Sequence, residues 1–180
     1  MDCESVLKRD HAKVKSLFQE HTTVTNLERK RAIGDQLIKE LCIHSNIECL
    51  VLYPTMRKCL PNGDLIVKKA LEEHLTVENM LNDLSKLSPD QPDWDRIMGL
   101  LMRDTLSHID DEEQNLLPEL QKNLTAEEWL NLGRRLEQSK GSAPTRPHPH
   151  MPKEGMTAKI AAALAAPADK MADTLMGRTK

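Results

Sequence analysis

The chain is nearly devoid of aromatic side chains: Phe18, Tyr53, Trp94 and Trp129 are the whole set among 180 residues. Its core must therefore be built from Leu, Ile, Val, Ala and Met. That favours helices, because sheets lean on aromatic and β-branched residues. Positive charge is not in excess either. A formal net charge of −3 argues against a general nucleic-acid binder, which would carry a basic face. No apolar run approaches the roughly 20 residues that cross a bilayer, and the opening MDCESVLKRD is charged where a signal peptide has its apolar segment. The four cysteines (Cys3, Cys42, Cys49, Cys59) form no CxxC pair and are too sparse for a disulfide scaffold. These absences predict a cytoplasmic protein in a reducing compartment, with neither a membrane nor a nucleic acid as partner.

What is present reads as helix up to residue 140. Segments with 3.6-residue periodicity span about 3–23, 27–59, 63–87 and 93–123, separated at Pro61-Asn62-Gly63 and at Ser88 to Pro92. A short fifth helix is expected over 126–138, with Thr125 as N-cap ahead of Glu127 and Glu128. At Gly141 the composition changes. The stretch 141–155, GSAPTRPHPHMPKEG, has four prolines and two glycines and reads as an extended linker. Residues 156–180 hold an alanine-rich amphipathic helix with apolar positions Ile160, Ala163, Leu164, Met171 and Leu175, expected to bend or break at Pro167. This helix is a candidate contact for a partner protein. The predicted organisation is all-α: a four-helix bundle over 1–140, a linker, and a C-terminal helix.

Each of the four apolar stripes is interrupted by a histidine: His11, His44, His74 and His108. One such histidine is usually a hydrogen-bonded core residue; one per helix is another matter. Two are followed a helical turn later by a glutamate, as His44-Ser-Asn-Ile-Glu48 and His108-Ile-Asp-Asp-Glu112, so each pair projects from one face. A buried carboxylate is costly unless paired or coordinated. Heights agree as well. Between antiparallel neighbours of equal rise, the point midway from His11 to His44 falls beside the break at Thr25 to Leu27. The point midway from His44/Glu48 to His74 falls next to Pro61, and that from His74 to His108/Glu112 falls on Pro92. Ordinary core histidines have no reason to share one level. Histidine with carboxylate suits iron, zinc or manganese, and six such residues exceed what one tetrahedral zinc needs. Two irons in a bundle, bridged by carboxylates, are the best reading.

These residues resemble the hemerythrin-like, or HHE cation-binding, family over about residues 1–124. The resemblance rests on Asp10-His11, on His44-Ser-Asn-Ile-Glu48 leading to Leu52-Tyr53-Pro54, on Glu73-His74, and on His108-Ile-Asp-Asp-Glu112-Glu113 leading to Leu117-Pro118. The Pro-His-Pro-His linker and Ala-rich helix also resemble tails of bacterial members. The resemblance implies an up-down-up-down bundle holding a non-haem di-iron centre, oxo- or hydroxo-bridged. His11 and His44 would serve one iron, His74 and His108 the other, and Glu48 and Glu112 would bridge them. Its small-molecule partner would be O2, H2O2 or NO.

The sequence departs from the oxygen-carrying members twice. Their further histidine, one turn after that of the third helix, is here Glu78, and their aspartate five residues after the last histidine is here Glu113. Added negative charge favours ferric iron, which turns the expectation from oxygen carriage towards oxygen or peroxide reduction, oxidation, storage or sensing. Glu78 reads either as a further ligand or as a solvated or salt-bridged neighbour of the site, and Glu113 is left open as a ligand. Tyr53 is nine residues from His44, which places it on the opposite face as a packing residue unless a kink before Pro54 swings it inward. His21, His148 and His150 read as surface or linker residues, Trp94 and Trp129 as caps of the bundle end, and Cys49 as a buried bystander.

Overall fold

The computed structural model describes residues 1–153 and 155–175, with no side-chain description over 155–160. The side chain of Ile160, in the expected C-terminal stripe, lies outside the described ones. Helix α1, Cys3–Thr23, starts where the Asp2 carboxylate accepts the Ser5 N–H at 2.8 Å. Asn26 does the same for α2, Leu27–Ile47, accepting from Arg29 N–H at 2.9 Å. A wide π-type turn, Glu48–Leu52, joins α2 to α3, Tyr53–Cys59. After a left-handed Asn62 (φ 58°) the chain reverses into α4, Gly63–Lys86. Glycine is required at 63, since a Cβ there would lie 2.5 Å from the Met56 carbonyl oxygen. Helix α5, Pro92–Asp111, ends in a second wide turn, Glu112–Leu116, before α6, Leu117–Lys122. Helix α7, Ala126–Ser139, opens with a full capping box between Thr125 and Glu128.

The two wide turns have a common cause. Pro54 and Pro118 each follow one of them and lack the N–H that an α-helix would use at that point. In both places the preceding residue, Tyr53 or Leu117, instead donates to the carbonyl five back, Glu48 or Glu112. One extra residue fits into the turn, and every following side chain is turned back by roughly 100° from its α-helical position.

The result is an up-down-up-down bundle of α1, α2–α3, α4 and α5–α6. Its core is split in two. One apolar cluster gathers Leu7, Leu52, Met56, Val67 and Leu120 with Trp129 and Leu136 of α7. The other gathers Phe18, Leu37, Leu81, Trp94 and Leu101. Trp94, in the first turn of α5, is fully buried in the second cluster, against His21 and Gly34. On every helix the polar residues of interest fall between the two.

Residues 143–153 lie along the bundle. Ala143 is buried in the first cluster, and Lys140 Nζ reaches Asp10 at 2.6 Å. Helix α8, Gly155–Leu175, runs through Pro167 without a break. Ala162 and Ala166 are buried before the proline, and Asp169 and Asp173 grip the preceding segment after it: Thr145 N–H and Arg146 N–H donate to Asp169, and Thr145 Oγ1 donates to Asp173. Anchors on both sides hold the helix through a residue that costs it about 3 kcal/mol. Leu164, Met171 and Leu175 face outward.

Candidate metal centre

Between the two apolar clusters lies a buried polar layer. His11, His44, His74, His108, Glu48 and Glu112 are each at most 9% exposed, and the structure brings all six together. The histidines form two pairs, with Nε2 of His11 3.3 Å from that of His44 and Nε2 of His74 3.1 Å from that of His108. Each carboxylate reaches across both pairs. Glu48 Oε1 is 3.1 Å from His44 and its Oε2 3.2 Å from His74, while Glu112 Oε2 is 3.4 Å from His11 and its Oε1 3.7 Å from His108. All four oxygens are inaccessible, and no hydrogen-bond donor of the described residues satisfies them. Leaving carboxylate oxygens in that state costs several kcal/mol each, unless a cation supplies the missing charge. The set groups naturally as His11, His44, Glu48 and Glu112 on one side and Glu48, His74 and His108 on the other, which suits a pair of metal ions sharing a carboxylate.

The far sides of His11, His74 and His108 are also hydrogen-bonded, and that of His44 faces an acid beyond hydrogen-bond distance. His11 Nδ1 donates to Glu113 at 2.8 Å, and Lys15 steadies that carboxylate at 3.3 Å. His108 Nδ1 donates to Glu73 at 2.9 Å. His44 Nδ1 faces Asp10 at 3.9 Å, and His74 Nδ1 faces the Cys49 sulfur at 3.9 Å. Fixing the outer nitrogen fixes the tautomer and turns Nε2 inward. Glu113 thus serves through His11 and not beside Glu112. Asp10 and Glu73, which sequence reasoning used only as motif neighbours, each reach the histidine of the other helix in their pair. The signal was an acid immediately before a site histidine, on both α1 and α4.

Charge in this layer follows the same contacts. Burial alone would depress His108, but the Glu112 and Glu73 carboxylates outweigh it and hold it up to about 9. Burial opposes protonation of His44 too, and Glu48 with Asp10 lifts it well above the usual range. Burial likewise resists ionisation of Glu48, yet His44 and His74 keep it well below the ordinary carboxylate value. His74, faced by His108 rather than an outer acid, is pushed down by burial.

Spacing left the places of two further residues open. Tyr53 is buried, and its hydroxyl lies 3.0 Å from His74 Nε2, inside the layer. The wide turn at 48–52 carries it there: one added residue rotates it off the opposite face by roughly a quarter turn. Glu78 points away from the six. Its Oε1 accepts the His148 N–H at 2.9 Å, and its Oε2 pairs with Lys153 at 2.5 Å. His148 and His21 are more than surface residues. His148 Nε2 lies 3.1 Å from Asp169, and His21 Nε2 accepts from Trp94 Nε1 at 3.2 Å.

A helical bundle with two histidine pairs spanned by two orphaned carboxylates is built for metal ions. The comparisons agree. A family model, the Hemerythrin HHE cation binding domain, matches residues 4–120. An uncharacterised hemerythrin-like protein of Schizosaccharomyces pombe is 32% identical over 168 residues, 93% of this chain and 83% of that one. This chain belongs to the hemerythrin HHE family. A DNA nickase of Nostoc is 27% identical over 128 residues, 71% of this chain but 36% of the nickase, so most of that enzyme has no counterpart here. Among solved structures, a hemerythrin HHE cation binding domain-containing protein from Mycobacterium kansasii superposes with a TM-score of 0.67 at 27% identity, covering 79% of this chain and 89% of that one. No helix among the described residues is long and apolar enough to cross a membrane.

Proposed function

We propose that the chain is a cytoplasmic non-haem di-iron protein that reduces, oxidises or senses a small molecule such as oxygen, peroxide or nitric oxide. The observation that carries this reading is the pair of carboxylates, each spanning both histidine pairs with no donor on any of its four oxygens. His11 and His44 would hold one iron, His74 and His108 the other, with Glu48 and Glu112 shared. The nitrogen and oxygen donor set, without thiolate, suits iron.

Bound iron would supply electrons to, or take them from, the small molecule. The bundle contributes the rest. Two apolar clusters exclude bulk water, and Glu113 and Glu73 hold the outer nitrogens of His11 and His108 and so strengthen them as donors towards a metal. Strong donor ligands favour ferric iron, so the argument against reversible oxygen carriage moves from Glu78 to these two acids. An iron-responsive module without turnover is the second reading, favoured by the outward-facing apolar stripe Leu164, Met171 and Leu175.

Protein expressed in iron-replete medium should carry close to two irons per chain, with intense near-ultraviolet absorption that dithionite bleaches and air restores. Stoichiometric zinc without iron would overturn the proposal. Peroxide consumption that vanishes in His44→Ala separates turnover from sensing.

A further inference from the structure

The four helices repeat one relation around the histidine layer. Three residues from each histidine, on the side away from Glu48 and Glu112, stand Val14, Leu41, Val77 and Thr105. Because neighbouring helices are antiparallel, these positions share one level, one turn beyond the histidines. With Ile109 they wall a cavity of about 20 Å³ floored by the four imidazoles. That volume admits one molecule of a few atoms. Its walls are apolar but for two hydroxyls. Ser45 is already engaged, donating to the Cys42 carbonyl at 3.4 Å.

Thr105 is not engaged. It is 4% exposed, and its Oγ1 is fully buried without a hydrogen-bond partner among the described residues. A helical threonine ordinarily returns its hydroxyl to the carbonyl one turn back. Thr55, Thr76 and Thr174 of this chain do so at 3.0, 3.0 and 2.9 Å. Burying an idle hydroxyl is costly, and valine, of the same shape, would avoid that cost. Its neighbours at this level are apolar, so the exception calls for a cause.

We propose that Thr105 is the hydrogen-bond donor that positions a hydrogen-bond-accepting molecule of two or three atoms in this cavity. The inference rests on the di-iron reading, which brings such a molecule to the imidazole floor. The residue is a positioning residue: it would select among small molecules by donating one hydrogen bond to whatever occupies the cavity. A nonpolar diatomic gains little from it, and an anionic or strongly polarised one gains a full hydrogen bond.

Azide is the probe. Iron content, optical azide titration of the oxidised protein, and the azide stretching frequency in H2O and D2O would be measured for wild type, Thr105→Val and Thr105→Ser. Iron content should be equal in all three. Thr105→Val should bind azide about tenfold more weakly, the loss of one hydrogen bond to an anion, and Thr105→Ser should stay within about threefold. The azide stretch should shift in D2O for wild type and serine, and not for valine. Without azide, the valine protein should melt at or above the wild-type temperature. Wild-type azide affinity and a retained isotope shift in Thr105→Val, at full iron content, would overturn the assignment. So would equal loss in both variants together with lost iron, the mark of a packing role. A wild-type protein that takes up no iron would fail the di-iron reading itself, and the metal analysis reports that separately.

Discussion

At the scale of single residues, position along a helix predicted that these six side chains would meet in one layer, and contacts between helices decided their surroundings. His21 shows the difference. Its sequence neighbourhood is polar, so it reads as exposed, yet packing of α1 against the start of α5 folds it over Trp94. Burial, with Lys30 nearby, lowers its pKa from 6.5, while Asp95 opposes. Replacing His21 by Leu should leave iron content unchanged and cost about 1–2 kcal/mol, because Trp94 Nε1 loses its acceptor. The sign with pH is fixed. As pH falls through 6.5 the unfolded chain takes up the proton before the folded one does, so wild type loses stability that His21→Leu keeps. Thermal melts from pH 7.5 to 5 should show the gap between the two narrowing below 6.5. A gap that widens would mean His21 is charged in the fold. His44→Ala and Glu48→Ala should behave otherwise, losing metal and melting temperature together. The same distinction explains Asp10 and Glu73. Nothing along one helix tells which histidine an acid will meet, because the partner sits on another helix.

At the scale of elements, all four long segments and the fifth helix were legible, since periodicity and turn residues mark them within the chain. The wide turns were not. Pro54 and Pro118 announced a disturbance, but a proline equally permits a kink, a new helix start or an inserted residue, and only the last carries Tyr53 to His74. The segment from Pro144 to Lys153 is the other element that composition alone underdescribed. Proline there fixes an extended chain; Glu78, Asp169 and Asp173 fix where it lies. Glu78→Gln should keep the irons, because Glu78 stands apart from the six, and should free Lys153. Tryptic cleavage after Lys153 is then expected severalfold faster than in wild type, while cleavage within the bundle is unchanged. Loss of iron in Glu78→Gln would return that residue to the ligand set. A chain ending at Lys140 keeps all six site residues and should still bind iron, with a lower melting temperature from the loss of buried Ala143.

At the scale of the whole molecule, the bundle is two copies of one idea. In α1–α3 an acid precedes a histidine (Asp10-His11), then His44 and Glu48 share a face, then a wide turn and Pro54 follow. In α4–α6 the same order runs Glu73-His74, His108 and Glu112, wide turn, Pro118. The two halves face each other, which is why each glutamate meets one histidine of its own half and one of the other. Symmetry fails behind the histidines, where Cys49 in one half matches Glu113 in the other, and at one pair of matching positions within the layer. Tyr53 stands where the second half has Leu117, so the centre has a phenol on the His74 side and none on the His11 side. Burial, with Glu48 next, lifts the Tyr53 pKa well above 10, so without metal the phenol keeps its proton. A ferric ion beside His74 would reverse that preference, since a bound cation inverts the local charge balance. The oxidised protein should then show a visible absorption band from phenolate to iron, absent in Tyr53→Phe at equal iron content. The same variant should lose equivalence with wild type in redox titration, its potential rising as an anionic ligand is removed. An identical visible spectrum and potential in Tyr53→Phe would leave the phenol a hydrogen-bond neighbour of His74, and the two irons would then differ only in their acids.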